Sequence, residues 1–141
     1  MLPLREFVPT VNQFVVGHRG SSGTAPENTL ASVREALSAG ADMVELDVQL
    51  TADHEIVVFH DAVLGRTTPG KGKVITTHSN TMHALDAGAW FSKEFTGETV
   101  PSLRQAIALI KGKAYLNIEI KPPQPGGRLS YSIRKNSRLH I

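Results

Sequence analysis

The stretch Met43-Val44-Glu45-Leu46-Asp47-Val48 predicts a buried β-strand that carries two carboxylates. Side chains two positions apart on a strand point to the same face of the sheet, so Glu45 and Asp47 should project together. Burying two unpaired carboxylates side by side is costly, and a bound cation removes that cost. Hard oxygen ligands of this kind suit Ca²⁺ or Mg²⁺. The alternative is that both carboxylates are solvated on the polar face of an amphipathic strand.

The residues before this strand predict a strand, a loop and a helix. Residues 14–17 form a short apolar run, and small residues with Gly and Pro follow it. The helix begins at Asn28 or Thr29, either of which can cap it, and ends at Gly40. A strand, a helix and a second strand in this order favour an α/β fold with a parallel sheet.

Two further strands are predicted after the central one. Residues 55–59 form an apolar, β-branched run, and residues 115–121 form another, preceded by a helix whose capping box starts at Ser102. The connection from Asp47 to the third strand is too short for a crossover helix. Extended chain or a hairpin-like excursion is therefore expected there. From Gln124 onward, the apolar residues no longer follow the period of a helix or a strand.

Composition and charge exclude several classes of protein. The 141 residues contain no cysteine, which excludes disulfides and thiolate metal sites. The last 20 residues hold four basic and no acidic side chains, and the preceding 121 hold 11 basic and 13 acidic ones, so no basic surface for nucleic acid is expected. No apolar run is long enough for a membrane helix, and no secretory leader is recognisable. A cytoplasmic location without membrane or nucleic-acid partners is predicted.

Each predicted strand ends in side chains that can carry chemistry. In a parallel barrel the carboxyl ends of all strands open at one mouth, so these groups should converge. Along the chain they are His18 with Arg19, Glu45 with Asp47, His60 with Asp61, and Glu119 with Lys121.

The residue types predict a metal-assisted reaction. Glu45, Asp47 and Glu119 offer three hard oxygen ligands, which suit one divalent cation together with water and a substrate oxygen. Histidine is the residue type that can gain or lose a proton near neutral pH, so His18 and His60 can act as general base and general acid. The alternative for each histidine is an ordinary loop or cap residue.

Two cationic side chains at the same strand ends favour an anionic substrate. Arg19 and Lys121 supply fixed positive charge for an anionic oxygen. Together with a cation and two imidazoles, they suit phosphoryl transfer, in which negative charge on oxygen must be stabilised. Asp61 has a simpler alternative, because a turn aspartate often bonds to its own backbone.

Several motifs together closely resemble those of the glycerophosphodiester phosphodiesterases. Their order and spacing match that family from about Val15 to Pro123. The resemblance implies a TIM-type (β/α)8 barrel of the PLC-like phosphodiesterase kind. It also implies divalent-cation-dependent hydrolysis of glycerophosphodiesters to glycerol 3-phosphate and an alcohol. The motifs are His18-Arg19-Gly20, Pro26-Glu27-Asn28-Thr29, residues 40–48, residues 57–61, Arg66-Thr67-Thr68 and Glu119-Ile120-Lys121.

The resemblance also implies a role for each matching residue. His18 and His60 match the acid–base pair. The positions that contact the phosphate are matched by Arg19 and Lys121, and a residue at the mouth of the barrel by Glu27. The carboxylates that hold one divalent cation, Ca²⁺ or Mg²⁺, are matched by Glu45, Asp47 and Glu119.

The chain departs from the family pattern in two respects. His54 stands where the family usually has a turn glycine, a change expected to be tolerated. A complete barrel of this type needs about 250 residues, so residues 1–123 are predicted to be the N-terminal half of a barrel truncated after about the fourth strand. Residues 124–141 are predicted to be a non-family tail, disordered or out of frame. The competing hypothesis is a truncated, non-catalytic remnant: a half-barrel that self-associates through its exposed edge, or a weak cation-binding module.

Overall fold

The computed structural model describes residues 13–122 and the backbone of residues 129–133. Two short 3-10 turns, Val74–Thr76 and Lys93–Phe95, lie in the long connection between the third strand and the last helix. The strands and helices in chain order are β1 (Val16–His18), α1 (Leu30–Ser38), β2 (Met43–Leu50), β3 (Ile56–Val58), α2 (Ser79–Ala84), α3 (Leu103–Ile110), β4 (Tyr115–Ile120) and β5 (Leu129–Ile133).

The centre of the structure is a parallel sheet in the order β1-β2-β4. Strand β2 lies in the middle, with His18 opposite Glu45 on one side and Glu119 opposite Asp47 on the other. The predicted α/β fold with a parallel sheet is confirmed. This register also fixes the site, because it brings the carboxylates of β2 and β4 to neighbouring positions.

Strand β3 differs from the arrangement expected of a barrel strand. It pairs antiparallel with the end of β2, with Ile56 opposite Leu50 and Val58 opposite Val48. The hairpin alternative is therefore confirmed: β3 runs opposite to the parallel strands, and Phe59 at its end donates to the Asp47 carbonyl, which brings His60 and Asp61 to the carboxylate cluster all the same. The short connection dictates this outcome, because an antiparallel pair can be joined by a tight turn and a parallel pair cannot.

The backbone of residues 129–133 forms β5, antiparallel to β4. This strand differs from the disorder expected for that part of the tail. The remaining residues of the predicted tail, 124–128 and 134–141, lie outside the described part of the chain. The domain boundary at residue 123 stays a prediction.

Helices α1 and α3 cover one face of the sheet and form the main core with it. Each buried aliphatic side chain there stabilises the fold by about 1.5–3 kcal/mol relative to exposure. A second, smaller core lies beneath the long connection after β3. The main core contains Val33, Val44, Leu46, Val48, Ala106, Ile110, Leu116 and Ile118 among others, and the second contains Val57, Phe59, Leu64, Val74, Met82 and Val100 among others.

Both long helices begin with the predicted type of cap. Thr29 caps α1 through a capping box with Ser32, and Ser102 caps α3 through a capping box with Gln105. Thr29 rather than Asn28 is thus the cap of α1, which leaves the Asn28 side chain for another contact. No helix in residues 13–122 is long and apolar enough to cross a membrane.

Replacing His54 with glycine should stabilise the fold. His54 is exposed in the turn between β2 and β3 and has a φ of 63°, a conformation that costs a side-chain-bearing residue about 1–2 kcal/mol and glycine almost nothing. We expect His54→Gly to raise the free energy of unfolding by about 1 kcal/mol in urea denaturation. The neighbouring Glu55→Gly is the control and should lower it. A His54→Gly chain no more stable than the parent would contradict the prediction.

Candidate active site

Three carboxylates meet at the carboxyl ends of β2 and β4. One oxygen each from Glu45, Asp47 and Glu119 lies within 4.8 Å of the other two. The sheet produces this cluster directly, because Asp47 and Glu119 are register neighbours and Glu45 lies two positions earlier on the same face. The structure therefore brings together the three residues predicted from sequence as cation ligands.

The cluster is largely withdrawn from water. Asp47 is 1% exposed and Glu45 7%. Burial raises the pKa of Glu45, and the neighbouring charges of Asp47 and Glu119 raise it further, against a hydrogen bond from the Arg19 amide to Oε2 at 2.9 Å. The buried Oδ1 of Asp47 accepts no hydrogen bond among the described residues. Such a set of crowded, incompletely satisfied oxygens fits a hard divalent cation.

Lys121 lies beside the carboxylates as predicted. Its Nζ donates to Glu119 Oε1 at 2.6 Å and forms an ion pair with Asp47 Oδ1 at 3.1 Å. Although burial opposes it, the interactions with Glu119 and Asp47 raise the pKa of Lys121. Lys121 is therefore a permanent positive charge at the edge of the cluster.

Arg19 connects the cluster to Glu27. Its Nε stands 3.5 Å from Asp47 Oδ2, and its Nη1 donates to Glu27 Oε1 at 3.1 Å. Arg19 has a φ of 54°, an uncommon conformation for a residue with a side chain. This turn directs its amide to Glu45 while its guanidinium reaches Asp47 and Glu27. Strained backbone of this kind is often found at functional sites.

The two predicted histidines have different surroundings. His18 is 66% exposed, and its Nε2 lies 3.9 Å from Glu45 Oε2. His60 is mostly shielded, and its Nδ1 lies 2.6 Å from Asp61 Oδ1. Buried Gln49 supports the His60 segment, because its Nε2 donates to the carbonyls on either side of His60, at 2.9 and 2.7 Å. Asp61 is thus more than a turn residue.

Asn28 is a site residue that sequence reasoning missed. Its side-chain amide donates to Asp47 Oδ2 at 2.8 Å, and its Oδ1 accepts from the Asp47 backbone amide at 3.2 Å. Asn28 is buried with a φ of 57°, a conformation that asparagine tolerates better than most residues. From sequence, its position at the start of α1 indicated a helix cap. The two hydrogen bonds to Asp47 show that it instead orients the Asp47 carboxylate.

Arg66 is the second residue that sequence reasoning missed. Its Nε and Nη2 donate to the two Asp61 oxygens at 2.7 and 2.9 Å, and its Nη1 and Nη2 donate to the two Glu27 oxygens at 3.0 and 2.6 Å. The Arg66 hydrogen bond, with help from His60, lowers the pKa of Asp61 to about 2. The only sequence signal was the family motif that contains Arg66, which gave no contact partner.

A chain of ion pairs therefore joins His60 to the carboxylate cluster. It runs from Asp61 to Arg66, then to Glu27, Arg19 and finally Asp47. Although burial opposes it, Arg66 and Arg19 lower the pKa of Glu27. The arrangement provides an oxygen-rich cation site, two imidazoles and two cationic side chains within one connected network.

The chain is similar to known proteins of one family. A model described as the glycerophosphoryl diester phosphodiesterase family matches residues 18–137. A glycerophosphodiester phosphodiesterase of Caldanaerobacter subterraneus is 47% identical over 108 residues, which are 76% of this chain and 44% of that protein. The match to the family model extends into the segment predicted as a non-family tail.

Solved structures show the same similarity. A phosphodiesterase of Oleispira antarctica, in complex with the product sn-glycerol-3-phosphate, superposes with a TM-score of 0.78 and 45% identity, over 84% of this chain and 47% of that one. A glycerophosphodiester phosphodiesterase of Agrobacterium tumefaciens gives 0.75 and 44%, over 77% and 47%. The chain thus spans about half the length of the relatives that it matches.

Proposed function

Because this chain belongs to the glycerophosphoryl diester phosphodiesterase family, we propose that it hydrolyses glycerophosphodiesters to glycerol 3-phosphate and an alcohol. The observation that carries the proposal is the convergence of Glu45, Asp47 and Glu119 beside Arg19 and Lys121. This is the charge pattern that a phosphodiester requires, with sites for a cation and for an anion next to each other. The small-molecule product bound by the Oleispira relative supports the same substrate class.

The three carboxylates are proposed to hold one divalent cation, Ca²⁺ or Mg²⁺. A bound divalent cation supplies Lewis-acid polarisation of a phosphoryl oxygen and neutralises charge that develops on it. The ligand set of oxygen atoms favours these hard cations over zinc or copper. Asn28 supports the site, because its two hydrogen bonds fix the orientation of Asp47.

Arg19 and Lys121 are proposed to bind the phosphate. Both carry charge at the edge of the carboxylate cluster, and the Arg19 fork can bind two phosphoryl oxygens at once. Glu27 then acts at the mouth by orienting Arg19, to which it is hydrogen-bonded at 3.1 Å. Binding by fixed positive charge positions the phosphorus atom and excludes neutral ligands.

His18 and His60 are proposed to transfer the protons of the reaction. One imidazole removes a proton from the attacking oxygen, and the other protonates the leaving alcohol. The exposure of His18 suits contact with solvent or a departing group, and the Asp61 carboxylate beside His60 orients its ring. Opposite proton transfers need one group that accepts a proton and one that donates a proton, and an imidazole can do either.

A second candidate function follows from the outer edge of β1. Val15 and Val16 beside this edge are about half exposed. Within the described residues, β1 is paired with β2 alone. A half-barrel that self-associates through this edge and binds a cation without turnover is therefore the competing proposal.

Phosphodiesterase assays of the 141-residue chain separate the two proposals. We expect release of glycerol 3-phosphate from glycerophosphocholine with Ca²⁺ or Mg²⁺, and loss of release in EDTA. Asp47→Asn should lower turnover about 10²-fold or more, because cation-assisted stabilisation of phosphoryl charge is worth several kcal/mol. Glu94→Gln, at an exposed acid outside the cluster, is the control and should leave turnover unchanged.

The outcomes of the assay are distinct. A folded chain that shows no turnover with either cation would overturn the phosphodiesterase proposal. If that inert chain still binds Ca²⁺ and elutes as an oligomer in size-exclusion chromatography, the half-barrel proposal is supported.

A further inference from the structure

Arg66 binds two carboxylates that belong to different segments of the site. On one side it contacts both oxygens of Asp61, next to His60, and on the other both oxygens of Glu27, the partner of Arg19. The four donor–acceptor distances lie between 2.6 and 3.0 Å. A planar guanidinium can make two such forked contacts at once, whereas an ammonium group cannot.

The contact between His60 and Asp61 determines where the His60 proton lies. The Asp61 carboxyl is ionised at neutral pH, as an ordinary aspartate is, and the Arg66 hydrogen bond lowers its pKa further, to about 2. An ionised carboxylate only accepts hydrogen bonds. At 2.6 Å from Asp61 Oδ1, the Nδ1 of His60 must therefore be the donor. In the neutral ring, Nε2 is then the unprotonated nitrogen.

We propose that Arg66 is a positioning residue that holds Asp61 against His60 and so keeps Nε2 of His60 as the nitrogen that exchanges protons with the substrate. The role of His60 toward substrate rests on the proposed function, whereas the clamp and the position of the ring proton do not. Arg66 also holds Glu27 and thereby Arg19, so one side chain sets the spacing between a proton-transfer group and a phosphate-binding group.

A purely stabilising role explains the geometry less well. The Arg66 side chain is 45% exposed, and exposed ion pairs contribute little to stability. Its two forks connect segments 39 residues apart and end on partners of His60 and Arg19. An ion pair that only stabilises the surface would not have to contact the partner of His60 and the partner of Arg19 at the same time.

NMR of the ¹⁵N-histidine-labelled full chain tests the clamp without any need for turnover. Long-range ¹H–¹⁵N correlations identify the protonated ring nitrogen, and His60→Gln assigns the His60 signal. In the parent chain we expect the neutral ring to carry its proton on Nδ1. Arg66→Met should lower the ratio of the Nδ1–H to the Nε2–H form about tenfold or more, because Asp61 is no longer held against the ring by Arg66 and its charge-assisted hydrogen bond with Nδ1 weakens. Arg66→Lys should lie between the two.

The control is Arg34→Met. Arg34 is an exposed arginine whose Nη2 lies 3.3 Å from Glu98, away from the site network, so its loss should leave the His60 tautomer unchanged. Where the parent chain turns over substrate, Arg66→Met should lower kcat more than it raises KM. If Arg66→Met does not fold, the tautomer ratio of His60 in Arg66→Lys tests the proposal instead.

A parent chain whose neutral His60 ring carries its proton on Nε2 would contradict the proposed role of Arg66. So would folded Arg66 variants with an unchanged tautomer ratio. Absence of turnover in the parent chain contradicts the proposed function instead, and the tautomer measurement still decides for or against the clamp.

Discussion

Replacing His60 with alanine should lower kcat about 10²–10⁴-fold, the usual contribution of a positioned general acid or base. The His60 ring contacts Asp61 and is supported by Gln49 through the flanking carbonyls, so its removal leaves the carboxylate cluster intact. Cation binding should therefore persist, seen as a rise in Tm on addition of Ca²⁺. The prediction is a chain that still binds its cation and has lost most of its turnover.

His18→Ala should have a loss of similar size, for the complementary proton transfer. Its imidazole lies 3.9 Å from Glu45 Oε2, so a modest change in cation affinity is expected as well. His78→Ala is the matched control, because His78 is an exposed histidine near Asp53, outside the site network. Unchanged turnover in both the His18 and His60 variants would refute the acid–base assignment. Glycerol 3-phosphate release under saturating cation is the measurement.

The parts of the site that the sequence predicted share one physical property. Glu45, Asp47 and Glu119 lie on strands whose period of two sets which side chains face together, and parallel pairing places the strand ends at one edge. These relations need only local pattern and a topology. For the same reason the capping box at Ser102 was readable from a short spacing, and the cap of α1 was narrowed to Asn28 or Thr29.

The parts that the sequence did not predict depend on contacts between distant segments. Arg66 meets Glu27 across 39 positions, and Asn28 meets Asp47 across 19, through loops whose paths no periodicity sets. The connection before β3 was left open between extended chain and a hairpin-like excursion for a related reason. The apolar pattern of β3 is the same in both cases and does not distinguish them.

Glu45→Gln should change stability and cation binding in opposite directions. Without cation, the variant should be more stable than the parent at neutral pH by ~1 kcal/mol, the typical size of a single-residue effect. Its affinity for Ca²⁺ or Mg²⁺ should fall by more than the 10–100-fold that the loss of a mere supporting partner costs. Thermal unfolding with EDTA and with Ca²⁺ measures both effects.

The opposite signs have one cause, the burial of Glu45 beside two other carboxylates. Because burial and these neighbours raise its pKa, the folded chain binds this proton more tightly than the unfolded chain, and stability is lost as pH rises above the ordinary value of 4.5. Glutamine keeps an acceptor oxygen for the Arg19 amide but carries no charge. The difference in free energy of unfolding between variant and parent should therefore grow from pH 4 to pH 7 and vanish at lower pH. A bound cation offsets the same repulsion between carboxylates in the parent. Its stabilising effect should therefore be largest at the pH at which the metal-free parent is least stable. Equal stability of the two chains in EDTA at pH 7, with an undiminished cation response in Glu45→Gln, would show that these carboxylates do not form a cation site.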